Sequence, residues 1–285
     1  MSAHPNFDGL RVLLLESRRA QELASIVTSY GGQPTSAPSM REVPIDSNTE
    51  AIAFADALER SSFGLVILLT GVGTRALVTV IERVRGTRDA FLEALRRTKI
   101  LARGPKPVAV LREWNVPVWL MAPEPNTWRE VLTALDARAN ELSLSGLHVA
   151  VQEYGESNAD LLSALEQRGA RVTPVPVYQW ALPEDLAPLQ AGIRAIADGG
   201  IDVVLFTTAT QVVHLMQVAA SMGLQDAVRR GLARLVIASI GPTTTEALYK
   251  HGIAPDFEPS HPKMGFLVRE AAERARALLN AKRPT

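Results

Sequence analysis

Hydroxyl-bearing residues stand in three short segments that each follow an apolar run rich in valine, leucine and isoleucine. These segments are Thr70-Gly71-Val72-Gly73, Thr207-Thr208 and Gly241-Pro242-Thr243-Thr244. In parallel α/β sheets, ligands bind outside the carboxyl ends of the strands, where helix amino termini present free N–H groups. In the third segment, glycine permits a tight turn and proline can start a helix. Its threonines could cap that helix or donate hydrogen bonds to an anion, and the sequence leaves both roles open.

A fourth segment, Arg103-Gly104-Pro105-Lys106-Pro107, carries cations instead of hydroxyl groups. It could clamp a carboxylate or be a solvated turn, because a single cation in a loop is ordinary. The glycines of Thr70-Gly71-Val72-Gly73 invite a dinucleotide interpretation. That motif lacks its third glycine and a following acidic residue, so it is weak evidence for nucleotide binding.

Composition excludes several classes of protein. The chain has 285 residues, 30 Lys+Arg against 30 Asp+Glu, and 47% hydrophobic residues, which suits a globular protein of about two domains. Zero formal charge and no basic run argue against nucleic-acid binding. Cysteine is absent and the five histidines lack metal-ligand spacing, so we expect no metal. The first apolar run, Val12 to Leu15, is too short for a signal peptide or a membrane span, so we expect a cytoplasmic protein.

Short apolar runs alternate with longer amphipathic stretches along the chain, which is typical of parallel strands buried on both faces by helices. A shift of 137 residues aligns several blocks without gaps. It carries Glu16 onto Glu153, Thr70 onto Thr207, and Gly104-Pro105 onto Gly241-Pro242 (241 − 104 = 137). The sequence therefore predicts two α/β domains of similar build, each with about five parallel strands.

Two proline-bearing stretches at equivalent places predict where the chain crosses between these domains. The linkers are expected at about 34–44 and 173–183, since prolines and β-branched residues favour extended backbone there. The first domain would then be discontinuous, with residues 1–40 and 182–285. The second would comprise residues 45–177, and a two-stranded β connection would join the two.

The duplicated pattern, together with Val177-Tyr178-Gln179, Phe206-Thr207-Thr208 and Ile240-Gly241-Pro242-Thr243-Thr244, resembles the uroporphyrinogen-III synthase family. The resemblance covers nearly the whole chain, and its most specific block runs from Asp202 to about Arg269. It implies two flavodoxin-like domains joined by a two-stranded linker, with the active site in the interdomain cleft. It also implies a cofactor-free enzyme that cyclises hydroxymethylbilane, a linear tetrapyrrole, to uroporphyrinogen III with loss of water and inversion of the last ring. We expect a monomer.

The resemblance also implies roles for particular residues. Tyr178 would assist departure of hydroxide by donating a hydrogen bond, although a tyrosine that packs the domain junction is the alternative. The carboxylates of the substrate would meet N–H groups, hydroxyl groups and cations. The candidate substrate-binding residues are Arg18, Thr70, Gly71, Arg103, Lys106, Thr207, Thr208, Gly241, Thr243, Thr244 and Lys263.

The first half of the chain departs from the family pattern in two loops. Thr70-Gly71-Val72-Gly73 stands where many members have a Thr-Ser loop, and Arg103-Gly104-Pro105-Lys106-Pro107 stands where a Gly-Asn-x-Thr-type loop is usual. These departures motivate an alternative function. The protein could be a non-catalytic sensor or regulator that binds a tetrapyrrole or another polyanion.

Overall fold

The computed structural model describes residues 4–44, 49–153, 155 and 157–283. For Pro44 and Tyr178 it describes the backbone only. The strands are β1 (Arg11–Leu14), β2 (Gln33–Ser36), β3 (Arg41–Pro44), β4 (Leu65–Leu68), β5 (Lys99–Ala102), β6 (Leu120–Met121), β7 (His148–Glu153), β8 (Arg171–Pro176), β9 (Tyr178–Ala181), β10 (Val203–Phe206) and β11 (Val236–Ser239). The helices are α1 (Ala20–Ser29), α2 (Thr49–Glu59), α3 (Gly71–Arg85), α4 (Asp89–Arg97), α5 (Pro105–Glu113), α6 (Trp128–Asp136), α7 (Ala159–Gln167), α8 (Ala187–Ala197), α9 (Ala209–Ser221), α10 (Gln225–Leu232), α11 (Pro242–Lys250) and α12 (Met264–Lys282).

The chain divides into two compact units. Unit 1 comprises Met1–Arg41 and Ala181–Thr285, and unit 2 comprises Glu42–Trp180. Unit 1 holds a sheet of order β11-β10-β1-β2, and unit 2 holds a sheet of order β6-β5-β4-β7-β8. Neighbouring strands in both sheets are parallel. The prediction of two α/β domains with parallel sheets is confirmed.

The internal repeat relates the two sheets strand by strand. The shift of 137 carries β5 onto β11 and α5 onto α11 residue for residue (236 − 99 = 137). It also carries β1, β2 and β4 to within a few residues of β7, β8 and β10. Each sheet therefore combines the first strands of one repeat with the last strands of the other. Only β6 has no counterpart among the described strands of unit 1, where a single bridge from Ala238 to Phe257 takes its place.

The stretches predicted as linkers, at about 34–44 and 173–183, include edge strands of the two sheets as well as the connecting strands. Gln33–Ser36 is the edge strand of the unit 1 sheet, and Arg171–Pro176 is the edge strand of the unit 2 sheet. Proline is tolerated at sheet edges because one side of an edge strand needs no ladder hydrogen bonds, so these prolines do not mark a linker. The connecting strands are the shorter β3 and β9, which form a two-stranded sheet.

Strand β4 shows how the apolar runs place the sheet in the interior. All four of its residues are buried. Leu65 and Ile67 pack with side chains of α6 and α7, whereas Val66 and Leu68 pack with side chains of α2 and α3. Helices thus cover both faces of the sheet, which leaves the ends of the strands as the places where polar groups reach the surface.

Asp202 holds two arginines at the start of the β10 strand in unit 1. Its side chain accepts hydrogen bonds from Arg11 Nε at 2.9 Å and from Arg283 at 2.8 Å, and it also accepts one from the Arg11 backbone N–H. The carboxylate is almost fully buried. The hydrogen bond from the Arg11 guanidinium is the main reason that the pKa of Asp202 lies well below its usual range.

We expect Asp202→Asn to lower the free energy of unfolding at pH 7 by about 2 to 3 kcal/mol, since charge-assisted hydrogen bonds would be lost. The folded-state pKa is lowered. Wild-type stability from this carboxylate is therefore fully present above about pH 4 and lost as the pH falls further. Unfolding should be measured by circular dichroism. The four tryptophans all lie in unit 2, so tryptophan fluorescence would not report the unfolding of unit 1. Asp226→Asn, at a side chain that is 83% exposed, is the control; equal losses in both variants would contradict the assignment.

Candidate functional site

Three loops of unit 1 lie at one edge of its sheet. β10 lies between β11 and β1, and all three strands run parallel. The residues that follow them, Glu16 after β1, Thr207 after β10 and Gly241 after β11, therefore share the carboxyl edge. This is the edge where parallel sheets bind ligands.

Thr208 directly precedes helix α9, and its hydroxyl oxygen caps that helix. Its backbone is extended, and its side-chain oxygen accepts a hydrogen bond from the N–H of Thr210 at 3.1 Å. This is an ordinary N-cap, in which a hydroxyl oxygen satisfies a free helical N–H. Thr208 therefore serves as the N-cap of α9.

Thr207 is held by a network that includes a fully buried glutamine. Its N–H donates to Gln211 Oε1 at 2.8 Å, and its hydroxyl oxygen accepts from Gln211 Nε2 at 2.8 Å. The Thr207 hydroxyl donates in turn to Glu16 Oε2 at 2.6 Å. A ligand group that uses the Thr207 hydroxyl as a donor must therefore displace Glu16.

Glu16 puts a negative charge at this edge. Its other oxygen, Oε1, accepts from the backbone N–H groups of Arg18 at 3.1 Å and Arg19 at 3.3 Å. The side chain of Arg18, an expected substrate-binding cation, is exposed in the turn that follows β1. The carboxylate thus fixes the β1 loop and the first turn of α9 together.

Helix α11 starts with the Gly-Pro turn that the sequence indicated. Pro242 is in the first turn, and the N–H groups of Thr244 and Thr245 each donate to the Gly241 carbonyl oxygen at 3.0 Å. Thr243 is exposed, whereas Thr244 is only 3% exposed. Of the two predicted threonines, Thr243 can reach a ligand without a change in packing.

Lys263 lies at the same edge, directly before helix α12. Phe257 bridges to Ala238 of β11, and a Cβ placed on Gly241 would lie 3.5 Å from Pro262. The loop that leads to Lys263 is fixed by buried Glu270, which accepts hydrogen bonds from the Ser260 N–H at 2.9 Å and its hydroxyl at 2.6 Å. Burial works to raise the pKa of Glu270, but these hydrogen bonds and the nearby arginines outweigh it and the pKa is lowered.

In unit 2, two helix amino termini lie side by side at the carboxyl edge. Thr70 caps α3 by accepting from the Gly73 N–H at 3.0 Å. A Cβ on Gly71 would lie 2.7 Å from the backbone oxygen of Lys106, in the first turn of α5. Only glycine permits this approach. It brings the first N–H groups of α3 close to the exposed side chain of Lys106.

The Arg103 loop, Arg103-Gly104-Pro105-Lys106-Pro107, is held in place by Asn126. With its amide nitrogen facing inward, Asn126 donates to the carbonyl oxygens of Arg103 and Ala122, both at 3.1 Å. A Cβ on Gly104 would lie 2.9 Å from the Asn126 side chain. Arg103 is half-buried. The predicted loop is therefore an ordered part of the α5 amino terminus rather than a solvated turn.

The structure adds residues that sequence reasoning did not name as site residues. Glu16 and Gln211 join the unit 1 edge, and Gln152 and Glu153 end β7 at the unit 2 edge. Gln152 is 1% exposed and contacts Gly73, and its Oε1 has no hydrogen-bond partner among the described residues. Glu153 accepts from the Ser157 hydroxyl at 2.6 Å.

The predicted site residues therefore fall into two groups, each at the carboxyl edge of one sheet. Unit 1 holds Arg18, Thr207, Thr208, Gly241, Thr243, Thr244 and Lys263, and unit 2 holds Thr70, Gly71, Arg103 and Lys106. Tyr178 is a residue of β9, and its side chain lies outside the described residues. No three His, Asp or Glu side chains of the described ranges come together as metal ligands. Within those same ranges, every helix is too short or too polar to cross a lipid bilayer.

The chain is similar to proteins of one known family. The model of the HEM4 family, uroporphyrinogen-III synthase HemD, matches residues 21–269. The chain belongs to this family. The Bacillus subtilis (strain 168) protein YjjA is 31% identical over 267 residues, which are 93% of this chain and 96% of YjjA.

Two solved structures that are similar to this chain are also uroporphyrinogen III synthases. A mutant uroporphyrinogen III synthase from the extremely thermophilic bacterium Thermus thermophilus has a TM-score of 0.73 and 25% identity, covering 95% of this chain and 100% of that chain. Uroporphyrinogen-III synthetase from Helicobacter pylori 26695 is 14% identical with a TM-score of 0.50, covering 92% of this chain and 98% of that chain. The second similarity concerns the fold alone.

Proposed function

We propose that this protein is a uroporphyrinogen-III synthase, which cyclises hydroxymethylbilane to uroporphyrinogen III with loss of water and inversion of the last pyrrole ring. The observation that supports the proposal most strongly is the family match over residues 21–269. The reaction loses hydroxide to give an azafulvene, closes on the substituted carbon of the terminal ring to give a spiro-pyrrolenine, and then fragments and recloses. No cofactor is needed for this sequence of steps.

This chemistry requires few catalytic side chains. The pyrroles supply the electrons, so the protein must chiefly hold the two ends of the substrate in one productive arrangement. Tyr178 is the proposed catalytic residue. Its phenol would donate a hydrogen bond to the departing hydroxide, because a phenol is protonated at neutral pH.

The carboxylates of the substrate would be bound at the two strand edges. Lys106, in the first turn of α5, and Lys263, directly before α12, are exposed cations suited to this role. Arg18 and Arg103 would contribute from the adjacent turns. Helix N–H groups favour negative charge, so such sites bind carboxylates although the formal net charge is zero.

Glu16 works against anion binding at the unit 1 edge, because its carboxylate occupies the Thr207 hydroxyl. Glu16→Gln keeps the shape and an acceptor for Thr207 but removes the charge. We expect it to lower KM about fivefold, equivalent to about 1 kcal/mol, with little change in kcat. Glu22→Gln, on the exposed face of α1, is the control. A raised KM would instead mean that the charge of Glu16 is needed to orient a substrate donor.

The rate of substrate consumption tests the enzymatic proposal. Freshly generated hydroxymethylbilane closes spontaneously, so loss of the linear tetrapyrrole is followed with and without purified protein. We expect consumption to be faster in proportion to protein concentration. A rate that matches the protein-free control, from a sample with the circular dichroism of a folded α/β protein, would contradict the proposal.

The sensor function is the second candidate, and the Arg103 loop of unit 2 is the observation that favours it. This loop departs from the family pattern, yet it is ordered by Asn126 and presents the exposed Lys106, so it suits binding of an anion whether or not turnover follows. A sensor would show no turnover, but uroporphyrinogen III would raise its melting temperature by mass action. Turnover in the consumption assay would reject this candidate.

A further inference from the structure

A groove lies between α3 and α5 in unit 2, and Glu42 and Val177 also line it. We call it the α3–α5 groove; its volume is about 650 Å³. Val72, Ala76 and Val80 line it from α3, and Ala109 and Val110 line it from α5. Its size lies in the range of small-molecule sites, roughly 300 to 1,000 Å³.

Aliphatic side chains form the groove although part of it faces solvent. Val80 and Val110 are buried and form its floor. Val72 is 42% exposed at its rim, one of the few large apolar side chains of the described residues with that much exposure. An apolar ligand would therefore remove both a floor and a rim of aliphatic surface from water, which favours binding.

The charges along the groove are unevenly paired. Arg75 and Glu113 bind each other through two hydrogen bonds of 2.9 and 2.8 Å, and this bond from Arg75 lowers the pKa of Glu113. Arg83 and Lys106 line the groove as well, and neither side chain has a hydrogen-bond or ion-pair partner within the described part of the chain. Glu42 is the second carboxylate of the lining, and it has an interaction partner of its own. Two cations are thus available to a ligand.

These two cations lie at opposite ends of the groove. The Cβ of Lys106 is next to Gly71, where α3 begins, and Arg83 is near the end of the same helix. Twelve residues of α-helix separate positions 71 and 83, which corresponds to about 18 Å. A ligand that meets both cations must be long and carry negative charge at both ends.

We propose that the α3–α5 groove is a binding site for a small elongated apolar molecule that carries an anionic group at each end. The apolar body lies on Val72, Val80 and Val110, and the two anionic groups pair with Lys106 and Arg83. The groove shares Lys106 with the carboxylate sites of the proposed function, but this inference requires only binding, so its test does not depend on turnover.

The test is a fluorescence titration with bis-anilinonaphthalene sulfonate, an apolar probe with two sulfonates, followed by displacement with hexadecanedioic acid. We expect one saturable site that the diacid empties. Val72→Asp should weaken probe binding at least tenfold, and Arg83→Gln should weaken it about fivefold. Circular dichroism of each variant shows whether the fold is retained.

The matched controls lie outside the groove. Val84→Asp changes a second exposed valine of α3 that does not line the groove, and Arg60→Gln removes an exposed arginine elsewhere in unit 2. Both should bind the probe within twofold of wild type. The proposal is overturned if no saturable site is found, if Val84→Asp weakens binding as much as Val72→Asp, or if the single-sulfonate analogue binds as tightly. It is also overturned if the groove takes an acidic amphipathic peptide but neither small dianion.

Discussion

Tyr178→Phe is expected to lower kcat for cyclisation about 100-fold, since general acid assistance contributes at least that factor. Phenylalanine retains the ring and loses only the hydroxyl that would donate to the departing hydroxide. Strand β9, which holds this residue, should therefore form as before, and KM should change little. The measurement is the steady-state rate of formation of uroporphyrinogen III by the variant and the wild type.

Tyr249→Phe provides the control for loss of a phenol. Tyr249 is 60% exposed at the end of α11, away from the first turn of that helix. Its replacement should leave kcat within twofold of wild type. If Tyr178→Phe also keeps the wild-type rate, Tyr178 has no part in the chemistry, and packing of the connecting strand is its role.

Gly71→Ala is the second large effect that we expect. The added Cβ would lie 2.7 Å from the backbone oxygen and 2.9 Å from the carbonyl carbon of Lys106, so α3 and α5 must move apart. Overpacking of this kind costs about 1 to 3 kcal/mol of stability. Since a shift of about 1 Å in a positioning element can lower a rate up to 100-fold, we expect kcat/KM to fall at least tenfold.

Gly265→Ala is the matched control for this substitution. Gly265 is also in the first turn of a helix, α12, and a Cβ placed there meets no atom within 4 Å. It should leave kcat/KM unchanged and should not lower stability, because alanine favours helix more than glycine does. Equal, small effects of both substitutions would mean that the close approach of α3 and α5 has no functional weight.

The repeat explains why much of the fold could be predicted from the sequence. Gly104-Pro105 and Gly241-Pro242 mark the same turn in both halves, and β5 and β11 precede those turns at identical spacing. Continuous apolar runs such as β4 indicate strands that are buried on both faces, and such strands are typical of parallel sheets covered by helices. The linkers were harder to delimit, since prolines in Gln33–Ser36 and Arg171–Pro176 mark edge strands, and local sequence does not tell an edge strand from a connection.

The site could be predicted by position but not by hydrogen bonding. The sequence predicts Thr207 and Thr243 at strand ends, but it does not specify the hydrogen bond from the Thr207 hydroxyl to Glu16. That contact joins residues 191 positions apart, and only the pairing of β1 with β10 creates it. One signal was available: the repeat aligns Glu16 with Glu153, so a carboxylate ends the equivalent strand in both units.

The burial of the Gln152 amide could not be predicted from the sequence. A glutamine that ends an apolar run is usually assigned to the surface, because polar side chains are seldom fully buried. In unit 2 it lies under Gly73, where the first turn of α3 closes over it. The absence of a side chain at Gly73 makes room for it, and no pattern in the sequence links the two positions.

The isomer composition of the product tests the central claim most directly. Purified protein is given freshly generated hydroxymethylbilane, the products are oxidised, and the uroporphyrin isomers are separated by chromatography. Spontaneous closure gives isomer I, whereas closure with inversion of the last ring gives isomer III. The proposed function predicts that isomer III predominates and falls sharply in Tyr178→Phe. Isomer I alone, from a demonstrably folded sample, would contradict it.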